Sequence, residues 1–211
     1  MHDFSHHPQC PVHRLWTFWL WLLPVGALAA NPEPQPLSLL KQTAEQVIAV
    51  LNEKHDILAR DPAQLYQLVE TELLQHFDFP RMSRLALGRF WRSATPDQRQ
   101  RFVQEFRDLL VRTYAGALLE YHNERILYGP VRGDPQAGDV TVHTEVERPG
   151  SVAVPIDYRM HRDDGDWKVY DVMVDGVSLV TNYRSSFGAQ IQRFGIERLI
   201  EELGERNREP R

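Results

Sequence analysis

Cysteine is almost absent from this chain: the single one, Cys10, lies upstream of the first apolar run. Once that leading segment is removed, the remainder has no thiol. It can form no disulfide in an oxidising compartment, so packing must supply its stability. Cys10 also lies too far from the small-residue stretch Ala27-Leu28-Ala29-Ala30 to be an acylation site, which would sit at the cleavage point itself. A basic excess is lacking as well. The chain has 24 Lys and Arg against 29 Asp and Glu, a formal net charge of −5, which argues against a general nucleic-acid binder. Long apolar runs are lacking beyond residue 28. The one run, Leu15 to Leu28, contains Pro24 and falls short of the roughly 20 residues that a membrane-spanning helix needs.

That run follows Arg14 and ends in an A-x-A stretch, the pattern of a secretory signal peptide. Residues 1–30 are read as that signal, cleaved after Ala29 or Ala30; the alternative is an uncleaved anchor. Asn31 to Pro36 is a proline-rich extended lead-in. What remains, roughly 180 residues, fits one domain with a substantial core. The expected organisation is a single domain over 37–203 and a polar, frayed tail over 204–211.

From Leu37 the pattern is helical, with Leu40, Ala44, Val47, Ile48 and Leu51 recurring at three- and four-residue steps. Asp61-Pro62 reads as an N-cap with proline in the first turn, opening a helix to about His76. Phe77-Asp-Phe-Pro80 breaks it, because the residue before proline is pushed out of the helical region. A short helix with Met82, Leu85 and Leu87 ends near Gly88. Thr95-Pro96-Asp97 starts a long helix that carries Phe102, Phe106, Leu109, Leu110, Ala117, Leu118 and Tyr121.

The period then changes to two. Val140, Val142, Thr144 and Val146 alternate with polar residues, and Val152, Val154, Ile156, Tyr158 and Met160 alternate with Ala153, Pro155, Asp157, Arg159 and His161. Further strands are read at Arg125–Val131 and Asp166–Val174. Pro149-Gly150 and Asp163-Asp164-Gly165 are turns. Pro155 places its strand at an edge or at a bulge, and a change of parity near Asp171 predicts a bulge or burial on both faces there. Helical periodicity returns after Tyr183, with a kink or restart at Gly195. The fold class is α+β: a four-stranded antiparallel sheet packed on one face by several helices, with room for an apolar cavity between them.

Little of this resembles catalysis. There is no G-x-S-x-G elbow around Ser178 or Ser185-Ser186. The histidines downstream of the apolar run, His55, His76, His122, His143 and His161, show no zinc-pair spacing, and Asp163-Asp-Gly-Asp166 fails the calcium-loop pattern. Asp171 is the one acid with a case to make. It is either a buried general base or, more plainly, a carboxylate bonded to backbone at the bulge. The expectation is therefore no catalytic residue, no metal and no cofactor.

Asp166-Trp-Lys-Val-Tyr-Asp171, Val174-Asp-Gly-Val-Ser-Leu-Val180, Asn182-Tyr-Arg184 and Phe187 resemble the MlaC family, also called the toluene-tolerance Ttg2 auxiliary proteins. So do Phe77-Asp-Phe79, Met82-Ser83, Leu87-Gly-Arg-Phe-Trp-Arg92, Thr95-Pro96-Asp97-Gln98-Arg99 with Phe102, Phe106 and Leu110, and, near the end, Gly195-Ile196 and Leu199-Ile200. The resemblance runs in order from about Leu37 to Leu203. It implies a Gram-negative periplasmic phospholipid carrier that exchanges lipid with an inner-membrane MCE-domain ABC transporter and an outer-membrane lipoprotein–porin complex, so maintaining outer-membrane lipid asymmetry. It also implies that lipid is cargo and not a cofactor, and a monomer that binds no nucleic acid. Apolar parity within that frame gives a lining of Phe79, Met82, Leu87, Trp91, Phe106, Leu110, Val142, Val154, Ile156, Val172, Val174 and Tyr183. Arg89, Arg92 and Arg184 are expected at the phosphate or at a partner, or on a solvated surface. Gly88, Gly176 and Gly195 are the expected hinges. The two rival functions are an enzyme using Asp171 and an envelope interaction module with a filled core.

Overall fold

The computed structural model describes residues 34–121 and 124–209. The segment expected to be a signal peptide, residues 1–30, and residues 31–33 of the expected lead-in lie outside the described residues.

Helix α1 (Gln35–Arg60) opens with Pro36 in its first turn and turns its buried side, Leu37, Val47, Leu51 and Leu58, inward. Asp61 then caps α2 (Pro62–Leu68), its carboxylate accepting the Ala63 N–H at 3.0 Å. The chain continues through a π turn, Val69–Leu73, and a 3-10 turn, Leu74–His76. Asp78 caps α3 (Phe79–Leu87) by accepting the Arg81 N–H at 2.8 Å. Gly88 ends α3, and α4 (Phe90–Ser93) follows at once. Thr95 and Gln98 form a reciprocal capping box at the start of α5 (Pro96–Tyr114). Past Tyr114 the expected long helix tightens into a 3-10 segment, Ala115–Glu120.

The sheet has five strands, not four: β1 (Arg125–Asp134), β2 (Asp139–Glu147), β3 (Val154–Asp163), β4 (Asp166–Val174) and β5 (Val177–Ser178), in spatial order 1-2-3-4-5 with every neighbour antiparallel. The fifth is only two residues long, too short to show an alternation. Its turn is nevertheless legible: Asp175 (φ 50°) and Gly176 (φ 75°) repeat the two positive φ values of Asp164 (46°) and Gly165 (98°) between β3 and β4, as two-residue hairpin turns do.

Pro155 lies in an interior strand, not at an edge. Its carbonyl accepts the Asp175 N–H at 3.0 Å. A strand residue points its N and its C=O to the same side, so the missing donor faces the point where β4 ends, and the β2–β3 ladder loses nothing. Near Asp171 the pairing does slip. Arg159 pairs with Asp171 and Met160 with Val169, so Tyr170 is the extra residue and Val169, Tyr170 and Asp171 are all buried.

Helix α6 (Leu179–Arg208) begins before Tyr183, capped by Ser178, and kinks at Gly195 (φ 83°). It does not fray after Leu203. Gly204 is buried and the Asn207 amide donates to the Glu105 carbonyl at 2.9 Å. One apolar core joins α3, α5 and α6 around Phe102, Phe106 and Phe187. A second lies among α1, α2 and the 3-10 segment after α5. The third lies between the start of α1 and the sheet.

Candidate functional site

Strand pairing assigns the faces of the sheet. Cross-strand partners share a face, so Val140, Val142, Thr144 and Val146 of β2 line up with Met160, Tyr158, Ile156 and Val154 of β3. Ile126, Tyr128 and Val131 join them from β1, and Val169, Val172 and Val174 from β4. Apart from Thr144 and the two tyrosine hydroxyls this face is apolar, but it is unevenly covered. Val140, Val142, Met160 and Val169 are buried; Ile126, Tyr128, Val146, Ile156, Tyr158 and Val172 are half-buried; Val154 and Val174 are 41% and 44% exposed. Val152 and Val177, beside that same end, are exposed too. Packed against it is the start of α1, where Leu39 and Leu40 are also only half-buried; Val50, Leu73, Leu118 and Leu119 are half-buried around the neighbouring core of α1, α2 and the 3-10 segment.

The twelve expected lining residues divide. Phe79, Met82, Leu87, Phe106 and Leu110 are buried in the core of α3, α5 and α6, with Trp91 and Tyr183 packed against it. Val142 and Val172 belong to the core under the sheet. Val154, Ile156 and Val174 lie at its less covered end. Parity along a helix identifies the inward face but not which of two cores it faces. Tyr128 and Tyr158, together with the 1/4 pattern of α1, are the residues that parity underused.

Ionisation follows burial. Burial pushes the Tyr158 hydroxyl up to about 12, with Tyr128 adding to the effect. Tyr128 is raised by burial, then by Glu45 and Tyr121. His76 is lowered by burial and by Lys168. On the other face of the sheet His143 bonds Asp157 at 2.7 Å and Glu145 at 3.2 Å, and these two acids raise its pKa.

At the less covered end an open cleft of about 410 Å³ is lined by Arg125, Glu147, Arg148, Pro149, Ser151 and Ala153. Arg148 is paired there with the buried Glu124, 2.7 Å away. The three expected phosphate contacts stand elsewhere, on the helical layer. The Arg184 guanidinium lies against Gly88, Arg89 lies over the Phe90 ring and Arg92 is exposed on α4.

Asp171 is fully engaged. It accepts the Ser178 hydroxyl at 2.7 Å and the Val180 N–H at 3.1 Å, with Arg159 3.9 Å away. A carboxylate tied to a helix start through both of its oxygens holds the β4–α6 connection in place. Among the described residues no cluster of His, Cys, Asp and Glu could hold a metal, and no helix is long and apolar enough to cross a membrane.

Comparison with known proteins agrees with this fold. The family model described as "MlaC protein" matches residues 41–205. The intermembrane phospholipid transport system binding protein MlaC of Haemophilus influenzae is 25% identical over 187 residues, 86% of each chain. The toluene tolerance protein ttg2D of Pseudomonas putida is 27% identical over 177 residues, 83% of this chain and 82% of that one. Among solved structures, a phospholipid-binding protein from Ralstonia solanacearum, determined in complex with a phospholipid, superposes with a TM-score of 0.74 at 35% identity, covering 81% of this chain and 96% of that one.

Proposed function

The chain belongs to the MlaC family, and from that premise we propose that it is a non-catalytic phospholipid carrier. It holds acyl chains between the apolar face of the sheet and the layer formed by α1, α2 and the 3-10 segment after α5. The observation that supports this reading is the incomplete burial of the apolar face of the sheet. A folded core closes its apolar side chains at near-crystalline density. Here Ile126, Ile156, Tyr158 and Val172 on the sheet, and Leu39 and Leu40 at the start of α1, are only half-buried. Tyr158 makes the point most clearly: its hydroxyl is deep enough for burial to push it up to about 12, yet the residue still has accessible area. The phospholipid held by the Ralstonia relative is the chemical class that such a space accepts.

No bond is made or broken in this role. Burying acyl methylenes supplies about 0.8 kcal/mol per CH₂, so two chains are held without charge pairing. The headgroup belongs at the less covered end, where Arg148 lines the open cleft. Release then requires a partner that competes for the lipid or widens the space. The setting is the Gram-negative periplasm after signal cleavage, with lipid passing between an outer-membrane lipoprotein–porin complex and an inner-membrane MCE-domain ABC transporter.

Mass spectrometry of the protein purified from its periplasm, native and then after organic extraction, tests the reading. A stoichiometric diacyl phospholipid, or a larger multi-chain lipid, is the expected result. A clean apo mass, with no uptake of lipid from liposomes, overturns it.

A further inference from the structure

The distribution of charge over the helical layer is as uneven as the burial of the sheet. Residues 79–96, which span α3 and α4, and residues 176–196, which span β5 and the first half of α6, together contain six arginines and no Asp or Glu, in a chain whose net charge is −5. The two segments pack on one another: Gly188 of α6 meets the Phe90 ring, and the Arg184 guanidinium crosses Gly88. Of the four acids that flank them, Asp78 is engaged with His161, and both Asp97 and Glu197 with Arg101; the fourth, Asp175, is exposed in the β4–β5 turn at one margin of the face. Arg84, Arg89, Arg92 and Arg184 are exposed and form no ion pair among the described residues.

We infer that this acid-free face of α3, α4 and α6 docks the protein on an anionic phospholipid bilayer. The cations are spread across a face and not gathered into one bidentate pocket, which fits a field of phosphates better than a single carboxylate partner. Phe90 and Trp91 stand half-buried among them, and Ser185, Ser186 and Ala189 give α6 an exposed surface of small side chains. A protein of net negative charge is repelled by an anionic membrane everywhere except where its own acids are missing, so this face also fixes the orientation of approach. The inference rests on the carrier reading only for the kind of surface the protein meets.

The test is co-sedimentation with vesicles of phosphatidylglycerol and phosphatidylethanolamine, against vesicles of phosphatidylcholine alone, over a range of NaCl concentrations. Binding to the anionic vesicles only, weakening as salt rises, is expected. The variant Arg89→Glu/Arg92→Glu/Arg184→Glu should lose about tenfold or more in apparent affinity. A charge-matched control, Arg60→Glu/Arg132→Glu/Arg206→Glu, should bind as the parent does. Arg92→Glu alone should lose part of the affinity, and it keeps the test valid should reversal of Arg184 disturb the α3–α4 turn. No preference for anionic vesicles overturns the inference and leaves this face to an acidic protein surface. Equal losses in the variant and its control overturn it as well. The lipid mass of the same preparations tests the carrier reading separately, so the two failures are distinguishable.

Discussion

Asp171 accepts the Ser178 hydroxyl at 2.7 Å across the β4–β5 turn, and through that bond the sheet holds the first turn of α6. The same carboxylate takes the buried Val180 N–H at 3.1 Å. Removing it strands a buried donor inside the protein, and hydrogen bonds to charged groups are the costly ones to lose. Asp171→Ala should therefore destabilise the protein by about 3 kcal/mol in urea unfolding, and Asp171→Asn by less, since one acceptor oxygen remains. Both variants should keep normal lipid content per folded molecule. An Asp171→Asn protein of normal stability that had lost a chemical activity would instead support the enzyme reading.

The sequence announced this region only in part. The change of parity near Asp171 pointed to a bulge or to burial on both faces, and the structure has the bulge at Tyr170 with three consecutive buried residues. The short β5 and the early start of α6 escaped, since two residues show no period and Leu179 and Val180 read equally well as strand. Helix caps were the most legible features: Asp61, Thr95 and the proline after each satisfy local rules that need no tertiary partner. The site was the least legible. Phe106 and Val142 both lie on apolar faces, but only the packing of α5 and α6 sends one to the helical core and the other beneath the sheet.

His143 and His76 should tilt the acid limb of stability in opposite directions. The pKa of His143 is raised in the folded protein by its bond to Asp157 and then by Glu145. Its stabilisation is fully present below the unfolded value of about 6.5 and is lost as pH rises through the folded value. The pKa of His76 is lowered, first by burial and then by Lys168, so stability is lost as pH falls from about 6.5 towards its folded value. His143→Asn should remove only the first contribution. Thermal melts between pH 5 and 8 should then show the variant losing stability on acidification more steeply than the parent. Parallel curves would show that the Asp157 bond does not perturb the imidazole.

Gly88 offers a case where two explanations predict different outcomes. A Cβ there would lie 2.7 Å from Arg184 Nε, and the backbone stands at φ 54°, ψ −121°. The clash is with the end of a flexible side chain, which can swing aside. The backbone conformation is one that side chains other than glycine adopt only under strain, at about 1–3 kcal/mol. Gly88→Ala should thus cost about 2 kcal/mol, and adding Arg184→Ala should recover almost none of it. Full recovery in the double variant would assign the cost to the clash.

The carrier reading separates Phe106 from Ile156, although sequence parity put both in one lining. Phe106 is inaccessible to solvent, stacked on Phe102 at 5.6 Å and edge-on to Phe187 at 5.6 Å and Tyr183 at 5.2 Å. Phe106→Ala opens a hole in a closed core and should cost about 3–5 kcal/mol, while each molecule that still folds keeps its lipid. Ile156 faces the half-covered part of the sheet, opposite Thr144 on β2 and Val174 on β4. Ile156→Trp adds volume where the proposed acyl chains run. It should leave the melting temperature of the delipidated protein within about 2–4 °C of the parent and lower the bound phospholipid measured by mass spectrometry after extraction. A filled core predicts the opposite for Ile156→Trp: overpacking would destabilise the protein by about 1–3 kcal/mol, with no change in lipid because none is held there. The two substitutions, measured for stability and lipid content together, therefore decide whether the space between the sheet and α1 is a core or a berth for cargo.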